Sequence, residues 1–396
     1  MTEIPSIFSK RTQWPLAPNR LTQQLNSLRH QGRRIIDLTQ SNPTVLKFRY
    51  PKGRILRALT SKKNLTYDPS PKGLQETREA VSQYYRRKGY YVDPKRIFLT
   101  SSTSEAYTFL LRLLLNPHEE ILVPCPSYPL FDYLADINDV QLKYYSLEYK
   151  NRWYINADNI QKVLTADSRA LVLVNPNNPT GSFIKMGEMA AINKVCHQHG
   201  LSIIGDEVFL DYHFHETETK PISLVANHEV LTFTLSGISK VLGLPQMKLG
   251  WVVVGGPERA AREAIERLEM ICDTFLSVNT PVQHALRGWF HFHPAIHKEI
   301  FQRVMRNRKF IQKIIAQAPS CRYLNSEGGW YAVLHINQKR SDEEWVIEFL
   351  KEDGVFVHPG YFFEFKEESH FVASLLIEPS IFKEGFEKIV KRINRA

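Results

Sequence analysis

Lys240 is the residue of this chain whose type and setting most strongly suggest covalent chemistry. It follows an apolar run and several small residues, in the segment SGISKVLGLPQMKLGW. A lysine amine attacks a carbonyl group only when it is deprotonated, so a Schiff-base lysine needs a dry pocket that lowers its pKa. A loop at the end of a buried strand can supply such a pocket, whereas a lysine in a loop, taken alone, is most often a solvated charge.

Two other polar segments follow apolar runs that are typical of buried strands. LVLVNPNNPTG places residues 175–181 after one strand, and GLSIIGDEVFLDY places Asp206 at the end of the next. Ligands bind at the carboxyl ends of the strands in open α/β sheets, and a buried carboxylate is costly unless a cation lies against it. A cofactor with a protonated pyridine nitrogen would supply that cation. A helix cap or a turn is the alternative interpretation of Asp206.

A third segment could bind an anion. TSSTSEAYTFLL, residues 100–111, is a strand end followed by small hydroxyl residues that open a helix. Free N–H groups at a helix N-terminus form anion sites, so Thr103 and Ser104 could hold a phosphate. An ordinary N-cap would have the same sequence.

Alternating apolar runs and helical patterns must position these residues. Seven short runs rich in β-branched residues occupy 97–100, 120–124, 140–146, 169–176, 201–207, 230–236 and 249–256. This alternation predicts an α/β fold with a mainly parallel seven-stranded sheet covered by helices. We predict an N-terminal arm that joins the small domain (1–45), a large cofactor-binding domain (46–285) and a smaller C-terminal α/β domain (286–396).

Composition narrows the class of protein. The chain has 396 residues and a net charge of +10. Its basic residues are scattered in short runs and not gathered on one recognition helix, which argues against nucleic-acid binding. It has no secretory signal and no apolar run of the roughly 18 residues that span a bilayer. The four cysteines lie far apart without a CxxC pair, so we expect reduced thiols in a cytoplasmic protein.

Together these motifs resemble the class I and II aminotransferases of the fold-type I pyridoxal-phosphate family, along nearly the whole chain. Five separated motifs stand in the order of that family with similar gaps. The resemblance implies pyridoxal 5′-phosphate as cofactor, held as an aldimine on Lys240. It also implies transfer of an amino group from an amino acid, of the alanine or aspartate type by default, to a 2-oxo acid such as 2-oxoglutarate.

The resemblance assigns roles to individual residues. Lys240 would carry the cofactor and then move a proton as general base and acid. Asp206 would pair with the pyridinium nitrogen, and Tyr128 would stack on the ring. Asn178 would hydrogen-bond the ring's phenolate oxygen and lie beside the substrate. Thr103, Ser104 and Ser239 would bind the phosphate, and Ser41 would line the substrate site. Tyr67 would contact the phosphate of the neighbouring subunit, which implies a homodimer.

Two departures from the family pattern concern the cofactor. Lys248 stands where the family has an arginine on the phosphate, so the charge is kept but the bidentate fork is lost. Phe209 stands where the family has a tyrosine that donates a hydrogen bond to the cofactor's ring oxygen. We therefore expect a higher aldimine pKa than in tyrosine-containing relatives, unless Tyr212 fills the gap.

A third departure concerns the substrate. Val372 stands where the family has the arginine that binds the α-carboxylate, and no Arg or Lys occurs between Lys366 and Lys383. Arg11 is our candidate for the missing cation, because an N-terminal segment can close over the site. A surface ion pair is the alternative for Arg11, and a substrate other than an ordinary α-amino acid is the alternative for the site.

Three other activities have sequence features in their favour. A pyridoxal-phosphate lyase or cyclase would use the same lysine and aspartate, and it would release its product without a 2-oxo acid. A DNA-binding regulator of this fold would need an added helix-turn-helix domain, for which the N-terminus is too short. A metal hydrolase would need the histidines at 213, 215, 291, 293 and 297, which lack cysteine or paired carboxylates at ligand spacing, so we predict no metal site.

Overall fold

The structure is a computed structural model, and it describes residues 7–214 and 221–396. The α-helices within these residues are α1 (Arg20–His30), α2 (Lys52–Arg57), α3 (Gln75–Arg87), α4 (Thr103–Leu114), α5 (Phe131–Ile137), α6 (Ala157–Gln161), α7 (Met186–His199), α8 (Ile238–Val241), α9 (Glu258–Phe275), α10 (Thr280–Trp289), α11 (His293–Ile315), α12 (Asp342–Asp353) and α13 (Pro379–Ile393). The strands are β1 (Ile36–Asp37), β2 (Ile97–Thr100), β3 (Glu120–Cys125), β4 (Gln141–Tyr149), β5 (Trp153–Ile155), β6 (Ser168–Val174), β7 (Ser202–Asp206), β8 (Thr232–Gly237), β9 (Gly250–Gly255), β10 (Cys321–Leu324), β11 (Tyr331–Ile336), β12 (Val355–Phe356), β13 (His358–Pro359) and β14 (His370–Ser374).

The large sheet has the strand order β2-β9-β8-β7-β6-β3-β4-β5. The five central neighbours from β8 to β4 run parallel, whereas β9 is antiparallel to both β8 and β2. The seven predicted strands are all present. The sheet has an eighth strand because β5 pairs with β4 as an antiparallel hairpin, and its three residues are too few for a periodic pattern to reveal.

Helices cover both faces of this sheet. One face packs against α4 and α9, through buried side chains such as Val172, Ile204 and Leu268. The other face packs in part against α7, through residues such as Leu171 and Ile192. Burial on both faces explains why β6 and β7 are continuous apolar runs without alternation.

A second sheet belongs to the C-terminal part of the chain. Its order is β10-β11-β14-β13, all antiparallel, and β12 pairs in parallel with β1 from the N-terminal arm. Leu21, Leu25 and Leu28 of α1 share one core with α11, α12 and α13, so the arm packs on the small domain. The predicted boundary at residue 285 falls inside α10, whose Leu286 and Trp289 pack in a core with β2 and β9 of the large sheet.

Helix caps are readable in the sequence. Ser341 and Glu344 form a capping box at the start of α12, which ends at Gly354 with a φ of 66°. Ser102 caps α4 by accepting a hydrogen bond from the backbone N–H of Glu105. In the described part of the chain, no helix has the length and apolar character needed to cross a membrane.

Candidate active site

The carboxyl ends of the parallel strands meet at one edge of the large sheet and surround a cavity of about 280 Å³. Asp206 ends β7, and Lys240 lies in α8 directly after β8, its neighbour. The end of β2 reaches the same edge because β2 and β8 are both antiparallel to β9. The predicted residues that line the cavity are Ser41, Thr103, Ser104, Tyr128, Asn178, Asp206, Phe209, Ser239, Lys240 and Lys248.

The amine of Lys240 lies in a desolvated, partly aromatic setting. Its Nζ atom is 5.5 Å from the centroid of the Phe209 ring and 5.2 Å from that of Trp330. Burial lowers the pKa of Lys240 to about 8, against the attraction of Asp206, which raises it. A much larger share of this lysine is therefore neutral near pH 7.5 than of a solvated lysine, as nucleophilic attack requires.

Asp206 is held as an acceptor facing the cavity. Its Oδ1 accepts a hydrogen bond from the Val208 N–H at 3.1 Å, and its Oδ2 accepts one from the Tyr107 hydroxyl at 3.3 Å. Burial raises the pKa of Asp206 to about 6, while these two donors and Lys240 oppose the rise. A desolvated carboxylate of this kind would be stabilised by a bound cation, such as a protonated ring nitrogen.

Hydroxyl groups and two helix N-termini form one end of the cavity. Thr103 and Ser104 lie in the first turn of α4, Ser239 lies in α8, and Lys248 contributes a charged side chain. Gly250 lines the same end, and a Cβ atom there would lie 3.1 Å from Thr100 Oγ1. Free backbone N–H groups, hydroxyls and one ammonium together suit a phosphate.

Asn178 is the observation that best tests whether pyridoxal phosphate fits. Its side chain is buried beside the cavity, and its Oδ1 has no hydrogen-bond partner among the described residues. A buried amide oxygen without a partner is costly, and because the oxygen and nitrogen of an amide can exchange places by a flip, a polar ligand atom is expected next to it. With the carboxylate of Asp206, the amine of Lys240 and the hydroxyl-rich end, the residues present fit this cofactor.

Tyr212 does not replace the tyrosine that Phe209 lacks. Its buried hydroxyl donates a hydrogen bond to the backbone carbonyl of Lys240 at 3.0 Å and so supports the lysine's own main chain. Phe209 itself is buried, with its ring edge-on to Trp330. The Tyr212 hydroxyl is therefore already engaged as a donor to the backbone of Lys240.

Sequence reasoning missed three residues of the site. Tyr107 donates to Asp206, the ring of Trp330 lies near Lys240, and Tyr331 lines the cavity together with Ser41. Burial raises the pKa of Tyr331 to about 12, so it stays a neutral donor. Tyr107 could have been found, because it lies one helical turn after Thr103 and so on the same face. The other two come from the small domain, which no local pattern places here.

The prediction that Arg11 binds the substrate carboxylate requires a correction. Its guanidinium forms an exposed ion pair with Asp139, which follows α5, and it does not line the cavity within one chain. The alternative of a surface ion pair is the one observed. Val372 is fully buried in β14, opposite Val333 and His358, so no cation stands at that position. Of the described residues that line the cavity, those with a positively charged side chain are Lys240 and Lys248.

The remaining predicted residues lie outside the cavity. Tyr67 lies on the surface beside a second, smaller cavity, with 77% of its area exposed. His293 and His297 direct their Nε2 atoms to Asp211, at 2.8 Å from its carboxylate and 2.8 Å from its carbonyl oxygen respectively. His215 lies outside the described residues.

Comparison with known proteins gives a consistent picture. The chain is 27% identical over 371 residues to the glutamate-pyruvate aminotransferase AlaA of Haemophilus influenzae, covering 92% of each chain. It is 28% identical over 351 residues to the AlaA protein of Escherichia coli K12, covering 87% of this chain and 86% of that one. Among solved structures, the alanine aminotransferase of Pyrococcus furiosus superposes with a TM-score of 0.89 at 25% identity, covering 98% of this chain and all of that one.

The family assignment rests on the length of the match. The family described as aminotransferase class I and II matches residues 33–375, which include every residue that lines the Lys240 cavity. The cavity also contains the amine, carboxylate and anion-binding end that the cofactor of this family needs. The chain therefore belongs to the class I and II aminotransferases, enzymes whose cofactor is pyridoxal 5′-phosphate.

Proposed function

We propose that this aminotransferase exchanges amino groups between alanine and 2-oxoglutarate, and between glutamate and pyruvate in the reverse direction. The names of the relatives from Haemophilus influenzae, Escherichia coli and Pyrococcus furiosus support this choice. They also favour transamination over the elimination or cyclisation that Lys240 and Asp206 could serve equally well.

The size of the cavity, together with the names of the relatives, supports the proposal for the amino donor. The cationic side chains that line it, among the described residues, are Lys240 and Lys248. Lys240 is needed for the cofactor and Lys248 lies at the phosphate end, so glutamate and 2-oxoglutarate, like aspartate, would bind their side-chain carboxylate without a lining cation. The small volume of about 280 Å³ must hold both cofactor and substrate. This volume favours a small amino donor such as alanine.

The residues of the chain can perform the proton transfers of transamination. When bound, pyridoxal phosphate supplies an electron sink for the pair left at the substrate Cα when its proton departs. Lys240, with a pKa of about 8, is basic enough to accept that proton and acidic enough to return it. Asp206 would place a negative charge beside the protonated ring of the cofactor. Asn178 and Tyr331 present polar groups to the ligand.

We propose neutral hydrogen-bond donors for the substrate's α-carboxylate in place of an arginine. Ser41, Tyr331 and Asn178 all line the cavity. Neutral donors give weaker hydrogen bonds to a carboxylate than a guanidinium fork does. A relatively high KM for the amino acid is the expected consequence.

We propose that the enzyme acts as a homodimer in which Tyr67 contacts the cofactor phosphate of the partner subunit. Tyr67 and Leu65 are 77% and 92% exposed, so both side chains are available for contact with a partner subunit. Light scattering should give twice the mass of 46.0 kDa. Tyr67→Phe should weaken cofactor binding without changing that mass, and a monomeric enzyme with full activity would overturn the proposal.

We propose a cytoplasmic location, because the four cysteines are all buried and unpaired. Cell fractionation would test it.

A panel of donors and acceptors tests the proposed reaction. Alanine with 2-oxoglutarate should give pyruvate and glutamate in equal amounts, with ping-pong kinetics. Aspartate and tyrosine should react with at least roughly tenfold lower kcat/KM, the discrimination that one unpaired group or missing contact gives. Lys240→Ala is the inactive control.

Elimination predicts a different product pattern. An amino acid with a leaving group on Cβ, such as serine, would then lose that group and give ammonia and a 2-oxo acid with no acceptor present. Release of ammonia at the rate of amino-acid consumption would refute transamination. Equal rates with alanine and aspartate would refute the proposed donor and leave the aminotransferase assignment intact.

A further inference from the structure

Two histidines and a glutamate meet at one end of the small sheet, away from the Lys240 cavity. His335 in β11 and His370 in β14 are direct partners across the antiparallel pair, so their side chains lie on the same face. Their ring centroids are 4.7 Å apart. Glu367 lies in the turn that leads into β14, and one ligand atom from each of the three residues lies within 4.8 Å of the others.

The hydrogen bonds of His370 leave its other nitrogen available. Its Nδ1 is 2.9 Å from the backbone carbonyl oxygen of Glu367. A carbonyl oxygen can only accept, so Nδ1 carries the proton and Nε2 carries the lone pair. Metal-binding histidines typically donate their second N–H to a backbone carbonyl or carboxylate in this way, which fixes the tautomer and the ring orientation.

The other two side chains have no competing strong partner. Within the described residues, the His335 ring and the Glu367 carboxylate take part in no hydrogen bond or salt bridge. His370 is held in place because its ring stacks on Phe365 at 4.5 Å between centroids. The three groups therefore offer two imidazole nitrogens and one carboxylate oxygen with little cost in broken contacts.

An open cavity lies beside the cluster. It has a volume of about 1030 Å³ and is lined by all three residues, together with Arg322 and Lys366. An ion could enter from it, and a water molecule or an anion could complete the coordination. The two cations reduce the affinity for a metal, although Arg322 is exposed to solvent and Lys366 donates to Ser146 Oγ.

We propose that His335, Glu367 and His370 bind one Zn²⁺ ion per chain, as an accessory site separate from the active site. Two imidazoles and a carboxylate suit zinc and the neighbouring transition metals, whereas Mg²⁺ and Ca²⁺ prefer oxygen ligands alone. Our sequence analysis predicted no metal site, but it weighed only the histidines at 213, 215, 291, 293 and 297. This site stands independently of the proposed substrates.

The site has a structural consequence for the neighbouring loop. Segment 360–369 contacts the large domain near the active site, because Cys125 Sγ donates to the Glu364 carbonyl and the Ser127 N–H donates to the Phe363 carbonyl at 2.9 Å. Zinc would tie the end of this segment to β11. Zinc binding should therefore raise the unfolding temperature of the enzyme, since it favours the folded state.

The test uses the cofactor-loaded enzyme, freed of metal with a chelator and kept without amino acid. Calorimetry with Zn²⁺ and absorbance with Co²⁺ should each give one equivalent per chain, with the cobalt spectrum of a tetrahedral nitrogen and oxygen site. His335→Ala should weaken binding by at least roughly tenfold, since even outer-sphere changes cost ten- to a hundredfold. His228→Ala, which changes an exposed histidine outside the cluster, should bind as the unaltered enzyme does.

Three results would overturn the site: no stoichiometric zinc binding, equal binding after His335→Ala, or binding of Mg²⁺ as tight as that of Zn²⁺. If His335→Ala does not fold, Glu367→Gln gives the same answer, because Glu367 is exposed and its replacement leaves the core unchanged. Loss of binding in His228→Ala would also count against the proposal, because the metal would then lie elsewhere.

Discussion

The rate at which cofactor-free enzyme captures pyridoxal phosphate should depend on pH as the neutral fraction of Lys240 does. Burial lowers the pKa of this lysine from 10.5 to about 8. At pH 7.5, roughly a quarter of the lysine is then neutral, against about one in a thousand for a solvated lysine, a gain of roughly 250-fold in reactive amine. The capture rate should rise with pH and level off just above pH 8.

Replacing Asp206 tests how its negative charge affects the pKa of Lys240. The attraction of Asp206 raises the pKa of Lys240, against the effect of burial. Asp206→Asn keeps the shape and removes that charge, so the midpoint of capture should move to lower pH. Asp206→Asn should also weaken cofactor binding, because the protonated ring nitrogen would lose the carboxylate with which it pairs.

Stopped-flow absorbance provides the assay, with N-acetyl-lysine as the reference amine. The reasoning fails if the enzyme's capture rate still rises about tenfold per pH unit between roughly pH 8.5 and 9.5, as a solvated lysine would require. A midpoint that rises in Asp206→Asn would contradict the assigned electrostatics.

Three further variants probe the departures from the family pattern. Phe209→Tyr should lower the pKa of the lysine-bound cofactor by about 0.4 to 1 unit, since one hydrogen bond contributes about 0.5–1.5 kcal/mol. A spectrophotometric pH titration measures this pKa, and Phe209→Met is the control without a hydroxyl. Lys248→Arg should tighten cofactor binding and Lys248→Ala should weaken it by roughly tenfold, as equilibrium dialysis would report, because a guanidinium binds phosphate bidentately. Arg11→Ala should leave the KM for amino acid unchanged, since its partner is Asp139 at the surface.

The cofactor end of the site was predictable because it is built from strand ends. Lys240, Asp206 and Asn178 follow strands β8, β7 and β6, which are neighbours in the sheet. Parallel strands bring their carboxyl ends to one edge, so the order of motifs along the chain determines which side chains meet. The N-termini of α4 and α8 lie at the same edge because these helices follow strands β2 and β8.

The substrate end was less predictable because the small domain completes it. Tyr331 and Trp330 reach the cavity only when β11 packs against the large domain, and their neighbours in sequence, EGGWYAVL, indicate a buried strand and nothing more. Arg11 was chosen because it is cationic and because an N-terminal segment can close over the site, but within one chain its guanidinium pairs with Asp139 at the surface. Asp139 lies in a turn that no spacing rule relates to the N-terminal arm, and its carboxylate accepts a hydrogen bond from the Arg11 guanidinium.

The position of the cofactor on Lys240 is the claim on which the account depends most. Reduction of the cofactor-loaded enzyme with borohydride fixes the carbon–nitrogen bond, and peptide mass spectrometry then locates the pyridoxyl group. The account predicts the label on Lys240, its persistence in Lys248→Ala and its loss in Lys240→Ala. A label on another lysine, or an unlabelled Lys240 in an active enzyme, would contradict it.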